Sequence, residues 1–468
     1  MIDLRRPGQR TLGEGLIEEQ TAGLWEPWMR QADQVLEDEQ LVHTVFEALL
    51  KRRPNSRTRG RRGVSAEIVL RMMLLKHIRN WSFQELEREV RPNLLYREFT
   101  RVGSGKVPDA KTLGRQAQAL GPQVVEQIHR RLVELAVENK VVQGRKMRVD
   151  TTVVETNIHY PTDSSLLGDG DRVLTRLMKK VTVIAGAVGA KLRNRMRTVQ
   201  RRVAEIARAS RAKGDKGKEK IQPLYRKLLE ITGRVVGQAK RFSSEIASGV
   251  KQSSDVLKQA TLEGLKREID GMVETVKKVV HQSKARVFGG DTHVGGKILS
   301  VFETSTEVIR KGKASKPTEF GKMVKIQEAE NQIVIDFEVY DQKPSDSDLL
   351  IPSIEAHQTK MGRTPDLVAA DAGFYSAKNV AEAEALGVKR VSVPNRSTKS
   401  PVRRQYQKQR WFKKGQKWRT GSEGRISLLK RRHGLRRSLY KKDAGMKRWV
   451  GLGVIADNVI NIGRALAK

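Results

Sequence analysis

The chain has 468 residues, enough for two or three domains, and its 91 Lys and Arg against 53 Asp and Glu give a formal net charge of +38. A field of that sign attracts polyanions, and neutralisation of phosphates would supply sequence-independent affinity for DNA or RNA. Cysteine is absent, which excludes disulfides and thiolate zinc sites, and no uninterrupted apolar segment is long enough to span a bilayer.

Residues 1–145 are predicted to form a helical domain. A first helix is expected to carry the apolar residues of the segment 36–50. The segment Ser82-Phe83-Gln84-Glu85 has the capping-box pattern that begins a helix, and Asp109 can cap another helix that Gly121-Pro122 ends.

A basic loop follows the first of these helices, and its arginines include Arg57, Arg59, Arg61 and Arg62. Several short helices beside such a loop are typical of a helix-turn-helix-like DNA-binding domain. The alternative is a plain helical bundle with a solvated basic loop. The positive charge of the whole chain favours DNA binding.

Residues 146–170 are predicted to be the first part of an α/β domain. The segment 146–156 is rich in β-branched residues, which predicts a strand. Asp150 lies in the middle of this strand. A carboxylate buried there without a partner would be costly, so its presence indicates a functional role.

Residues 171–285 have a different pattern. Apolar residues recur at steps of three and four from Leu174 to Ile206, which predicts one long amphipathic helix. Residues 211–218 interrupt the pattern, and it returns from Leu265. We expect a helical hairpin or small antiparallel bundle inserted into the α/β domain, with basic outer faces that contact either DNA or solvent.

Residues 286–468 are predicted to complete the α/β domain. Segments 322–326 and 333–340 have the composition of a strand pair, and strands alternate with helices after them. One short apolar strand, 366–370, ends at Asp371. Sites in open α/β sheets form beyond the carboxyl ends of strands, which is the position of Asp371.

The C-terminal segment between Val402 and Arg448 contains eighteen Lys or Arg and only two acids, Glu423 and Asp443. Aromatic residues, Trp418 among them, are interleaved with these cations. Cations of this kind bind phosphates, and aromatic rings stack on unpaired bases. A solvated basic tail is the alternative, but such tails seldom carry several aromatic residues.

Three acidic residues therefore stand out in a basic chain: Asp150, Asp371 and Glu423. Carboxylates are hard oxygen ligands for Mg²⁺ or Mn²⁺, and two such ions can drive phosphoryl transfer. The alternative for Glu423 is a salt bridge to a neighbouring arginine. If one of the three is wrong, the replacement acids are Asp163, Glu155, Glu319 and Asp336.

Several motifs together resemble the catalytic core of DDE transposases from bacterial insertion sequences. Arg419-x₃-Glu423-x₆-Lys430 matches the tail of the Y-x₂-R-x₃-E-x₆-K signature of one large branch, with Gln416 at the position of the tyrosine. Other segments resemble transposases of the ISNCY type: 150–163, 316–321, 369–375 and 431–435.

The resemblance implies an RNase H-like fold, with a mixed sheet, an N-terminal helical DNA-binding domain and an inserted helical bundle. It implies that Asp150, Asp371 and Glu423 bind two divalent ions, Mg²⁺ or Mn²⁺. The implied activity is metal-dependent cleavage at transposon ends, followed by strand transfer by the freed 3′-hydroxyl. The DNA contacts expected in the C-terminal segment are Arg419, Lys430, Arg425, Arg431, Arg432 and Trp418.

The expected partner is double-stranded DNA, both transposon ends and target, and the expected assembly on DNA is a homodimer or a higher oligomer. We expect a cytoplasmic, nucleoid-associated protein with no membrane contact, because the N-terminus lacks the apolar core of a signal peptide. Two alternatives stay open at this point: a non-catalytic DNA-binding protein derived from a transposase, and a metal-dependent host nuclease.

Overall fold

The computed structural model describes residues 1–5, 12–52, 54–57, 60, 63–186, 188–211, 215–310 and 318–468. The described chain divides into two compact units. The first combines Met1–Asn157 with Glu307–Lys468, and the second is Ile158–Thr306. The second unit contains the segment predicted to be inserted and extends beyond it at both ends.

The first unit begins with helices, several of which start at the predicted caps. The capping box forms, because the Glu85 amide donates to Ser82 Oγ at 3.1 Å and the Ser82 amide donates to Glu85 Oε2 at 2.7 Å. Asp109 accepts from the Thr112 amide at 2.9 Å and so caps its helix. The helices are α1 (Leu12–Thr21), α2 (Pro27–Val35), α3 (Glu39–Arg52), α4 (Ala66–Arg79), α5 (Phe83–Val90), α6 (Leu94–Phe99), α7 (Ala110–Ala119) and α8 (Pro122–Glu138). The predicted strand follows as β1 (Lys146–Thr156).

The second unit is helical, but the single long helix expected across residues 174–206 is wrong. The chain leaves the helical conformation at Gly186, where φ is 74°. The segment after this break is held by residues far along the chain: Glu245 Oε1 accepts from the Ala190 amide at 2.9 Å, and the buried Lys251 ammonium donates to the Ala190 carbonyl at 3.3 Å. The helices are α9 (Asp163–Ala185), α10 (Met196–Ala209), α11 (Asp215–Ala247) and α12 (Val256–Gly289).

The break predicted at residues 211–218 is only partly correct: Arg211 follows α10, but residues 215–218 already belong to α11. Residues 212–214 lie outside the described part of the chain. The apolar faces of α9, α11 and α12 pack together, with Phe242, Ile269 and Val276 fully buried among them. The second unit is therefore a helical bundle.

The remainder of the first unit completes a mixed sheet around β1. The strand order is β2-β3-β1-β5-β6, with β4 paired to β3 and β7 paired to β1. β1 is antiparallel to β3 and parallel to β5 and β7. The predicted α/β class is confirmed. The strands are β2 (Glu307–Arg310), β3 (Thr318–Glu328), β4 (Val334–Val339), β5 (Leu367–Ala369), β6 (Arg390–Ser392) and β7 (Arg437–Ser438). Residues 316 and 317, part of one segment that carries the resemblance, lie outside the described residues.

The last helices are α13 (Leu350–Met361), α14 (Ala377–Ala385), α15 (Pro401–Lys408), α16 (Arg410–Arg432) and α17 (Lys442–Leu466). α16 packs against β1, β5 and β6, and α17 packs against α2, α4 and α8. One apolar core contains Met29, Leu74 and Leu132 of the N-terminal helices together with Ile455 and Val459 of α17. The N-terminal helices therefore share their core with the C-terminal helix. Among the described helices, none is both long and apolar enough to cross a membrane.

Candidate active site

One side of β1 is paired with two short parallel strands, and a gap separates them. β5 pairs with residues 146–148 of β1, and β7 pairs with Glu155 and Thr156. Asp150 lies between these two pairings, and its side chain is 14% exposed. A cleft of about 980 Å³ lies at this place, and Asp150 and Glu155 are among the residues that line it.

Asp371 follows the end of β5 and caps the 3-10 turn Ala372–Phe374. Arg148 of β1 pairs with Ala369 of β5 in parallel register, so two further residues along each chain bring Asp150 level with Asp371. Neighbouring strands are about 4.8 Å apart, and residues at matched positions of a parallel pair point to the same side of the sheet. Asp371 lines the same cleft, and its Oδ1 accepts from the Gly373 amide at 2.8 Å.

Glu423 reaches the cleft from α16. Arg419, one turn earlier on the helix, donates from Nη2 to Glu423 Oε1 at 2.9 Å, and its Nη1 lies 3.8 Å from Asp150 Oδ2. The Glu423 side chain is 62% exposed. A guanidinium therefore lies between two of the three predicted acids.

The three acids form an all-oxygen donor set of the kind that hard divalent cations prefer. Within the described part of the chain, no three side chains of His, Cys, Asp or Glu are already spaced to hold a metal ion. The Arg419 guanidinium contacts two of the carboxylates, those of Asp150 and Glu423. Glu423 lies on an exposed helix surface and can turn away from Arg419 without loss of packing, so the residues fit a divalent ion.

Gln416 fixes α16 against the strand ends. Its Nε2 donates to the Ala370 carbonyl at 3.2 Å and to Ser392 Oγ at 3.1 Å. Ala370 directly precedes Asp371, so the bond joins α16 to the chain beside that acid. The residue that replaces the signature tyrosine thus still holds the helix at the site.

A buried network of charges lies beneath α16. Arg148 is 5% exposed, and it donates to Glu328 Oε2 at 2.5 Å and to the Trp418 carbonyl at 2.6 Å. Arg425 binds both carboxylate oxygens of Asp457, at 2.8 and 2.9 Å. Burial raises the pKa of the Glu328 carboxyl, although both arginines oppose this rise.

One of the predicted DNA contacts is contradicted by this network. Arg425 is 4% exposed and its Nη1 binds Asp457, so it joins α16 to α17 and has almost no surface to offer to DNA. Trp418 packs its ring under the Arg148 guanidinium, 4.9 Å from the ring centroid, and is not among the residues that line the cleft.

The other predicted cations have different positions. Arg419, Lys430 and Arg431 line the cleft, while Arg432 is exposed outside its lining. Arg57 is exposed in a 3-10 turn, Pro54–Arg57, remote in sequence from the cleft residues. The remaining predicted contacts lie outside the described residues: Arg59, Arg61 and Arg62.

Of the four replacement acids, two line the cleft and two do not. Glu155 and Glu319 line the cleft. Asp336 is paired with Lys325 at 3.0 Å and does not line it. Asp163 belongs to the second unit, where it is paired with Arg286 at 2.8 Å.

Asp346 is an acid of this region that sequence reasoning missed. Thr151, the neighbour of Asp150, donates from Oγ1 to Asp346 Oδ1 at 2.9 Å. A Cβ atom placed on Gly373 would lie 3.1 Å from Asp371 Oδ1 and 3.3 Å from Asp346 Oδ2. Asp346 thus lies close to Asp371 and is bonded to the sequence neighbour of Asp150. In the sequence, Asp346 stands where a helix is expected to begin. A helix cap is an equally good explanation for an aspartate at that position.

Comparison with protein families agrees with the geometry. The model of a Transposase domain (DUF772) matches residues 26–118, and the model of a Transposase DDE domain matches residues 297–458. No curated protein and no solved structure matches the chain. The second matched segment includes Asp371 and Glu423, whereas Asp150 lies in neither.

The fold, the cleft that holds the three carboxylates and these matches define a DDE-type enzyme that acts on DNA, with an RNase H-like catalytic fold. These matches make the chain a DDE-type transposase, consistent with the transposases of insertion sequences. Enzymes of this family generally use divalent metal ions.

Proposed function

We propose that this transposase cleaves DNA at the ends of its element and joins the freed 3′-hydroxyl to target DNA, with Asp150, Asp371 and Glu423 as ligands of two Mg²⁺ or Mn²⁺ ions. The observation that carries the proposal is that Asp150 and Asp371 line one cleft, each two residues beyond the Arg148–Ala369 pair that joins the parallel strands β1 and β5. Two carboxylates side by side repel each other, so the pair favours a bound cation.

The groups of the protein have separable tasks in this proposal. When bound, two divalent ions activate the attacking oxygen and stabilise the leaving oxygen. Lys430 and Arg431 line the cleft, so they can bind phosphates on either side of the scissile bond. Arg419 contacts both Asp150 and Glu423, so it balances their charge in the ion-free protein.

A matched pair of substitutions tests the site. Asp366 and Asp371 flank β5 at opposite ends, and Asp366 is paired with Lys389 at 2.9 Å. Asp371→Asn should abolish strand cleavage of a supercoiled plasmid that carries the gene with its flanking DNA, in Mg²⁺ or Mn²⁺. Asp366→Asn should cleave as the wild type does, and both variants should retain DNA binding in a filter assay.

Asp150→Asn should behave as Asp371→Asn does, and calorimetry with Mn²⁺ should show weaker ion binding in both. Cleavage at the wild-type rate by either variant would remove that residue from the mechanism. Joined products distinguish a transposase reaction from simple nuclease activity, because a nuclease leaves only free ends.

We also propose that two or more copies assemble on DNA, because an element has two ends that must be processed together. Light scattering with and without the flanking DNA measures this. A single copy bound to each DNA molecule under cleaving conditions would contradict it.

A further inference from the structure

α16 carries a second basic surface in addition to its cleft-lining residues. The outer basic face consists of Arg410, Lys413, Lys414 and Lys417 of α16 together with Lys408 at the end of α15. These five side chains are exposed, and among the residues that the structure describes they are the ones that line a shallow depression of about 330 Å³. The spacing of the four helix residues places them on one side of the helix.

The outer basic face points away from the cleft. At about 100° per residue, the mean direction of its four α16 members differs by about 150° from that of Arg419, Glu423 and Lys430. The helix with its side chains is about 10–12 Å thick. A DNA segment that lies in the cleft therefore cannot reach the outer face without passing around the helix.

The charges of the outer basic face are not neutralised by the protein. Among the described residues, none of its five cations forms an ion pair with a carboxylate, and no acid lines the depression. Two other exposed lysines of this unit are paired: Lys378 is 3.6 Å from Glu382, and Lys389 is 2.9 Å from Asp366. The outer basic face instead gathers five cations within about two helical turns, where one polyanion can contact several of them at once.

We propose that the outer basic face binds the target duplex, while the cleft holds the element end; this rests on the proposed function. The face spans about 10 Å along α16, the length of about three base pairs. Contacts from lysine and arginine to phosphates carry no sequence information. Such a surface accepts duplexes of any sequence. Binding of a target site requires this property, whereas binding of a defined element end does not.

The first test compares two double variants of equal charge. Lys413→Gln/Lys417→Gln removes two cations of the outer face, and Lys378→Gln/Lys389→Gln removes two paired lysines elsewhere. Binding of a short random-sequence duplex is measured by fluorescence anisotropy at several salt concentrations without divalent ions. The outer-face variant should lose about 2 units of the slope of log K against log salt, because each phosphate contact contributes about 0.9. The control should keep the wild-type slope.

The second test follows the reaction on the plasmid that carries the gene with its flanking DNA. The outer-face variant should cleave as the wild type does but join ends to a second plasmid about tenfold less, because it neutralises fewer target phosphates. Equal slopes in the two double variants would overturn the proposal. Loss of cleavage together with joining would also overturn it, because the face would then hold the element end. If the wild type cleaves nothing, the proposed function fails, and the slopes alone decide whether the face binds DNA.

Discussion

Replacing Gly421 by alanine should destabilise the protein, although alanine favours a helix. A Cβ atom at position 421 would overlap Arg148 Nη1 and lie 3.0 Å from its Cζ. The guanidinium cannot simply move aside, because it is buried and bonded to Glu328 and to the Trp418 carbonyl. Breaking a buried ion pair costs about 3–5 kcal/mol, and the gain in helix propensity is about 1 kcal/mol. We expect a net loss of about 2–4 kcal/mol in the free energy of unfolding.

Gly424 supplies the control, because no atom of the described residues lies within 4 Å of a Cβ atom built on it. There the same substitution should stabilise the protein by about 1 kcal/mol. Urea unfolding followed by circular dichroism measures both variants. The reasoning is refuted if Gly421→Ala stabilises the protein as much as Gly424→Ala does. Since α16 also carries Glu423, Gly421→Ala should lower strand cleavage, whereas Gly424→Ala should not.

Three further predictions concern other parts of the chain. Burial lowers the pKa of Lys76 to about 8. Between pH 8 and 10.5 the unfolded chain therefore holds one more proton than the folded protein, and the free energy of unfolding should rise by up to about 3 kcal/mol over this range. An equal rise in the Lys76→Met variant would contradict this. Burial raises the pKa of Asp171 to about 7, so the folded protein holds the additional proton below that pH. Asp171→Asn should therefore be more stable than the wild type at pH 8 and show no such advantage near pH 4 in urea unfolding, and a gain of equal size at both values would exclude the burial explanation. Gln416→Ala should lower cleavage about tenfold with unchanged duplex affinity, because two hydrogen bonds that position α16 are lost; an undiminished cleavage rate would show that they do not position it.

Local patterns predicted the elements whose causes are local. β1 has the predicted bounds, because its β-branched composition is contained in the segment itself. The Ser82 capping box formed for the same reason. The break between α9 and α10 was missed, because the apolar spacing continues across Gly186. What holds the chain there is Glu245, 55 residues beyond its partner Ala190.

The same distinction applies to the candidate site. Isolated acids in a basic chain singled out Asp150 and Asp371, but only the pairing of β1 with β5 brings them level. Arg425 was assigned to DNA because its neighbours are cationic. Its partner is Asp457, 32 residues later, in a helix whose position depends on the whole fold.

The shared core of the N-terminal helices and α17 constrains how the protein is made. Domains usually fold during synthesis as they emerge, the N-terminal one first. Here the first helices lack Ile455 and Val459, which complete their core, until α17 has been translated. A chain truncated before α17 should thus fail to fold its N-terminal helices and should not compete with the intact enzyme for DNA. For the same reason, nascent chains should bind DNA only when synthesis is nearly finished.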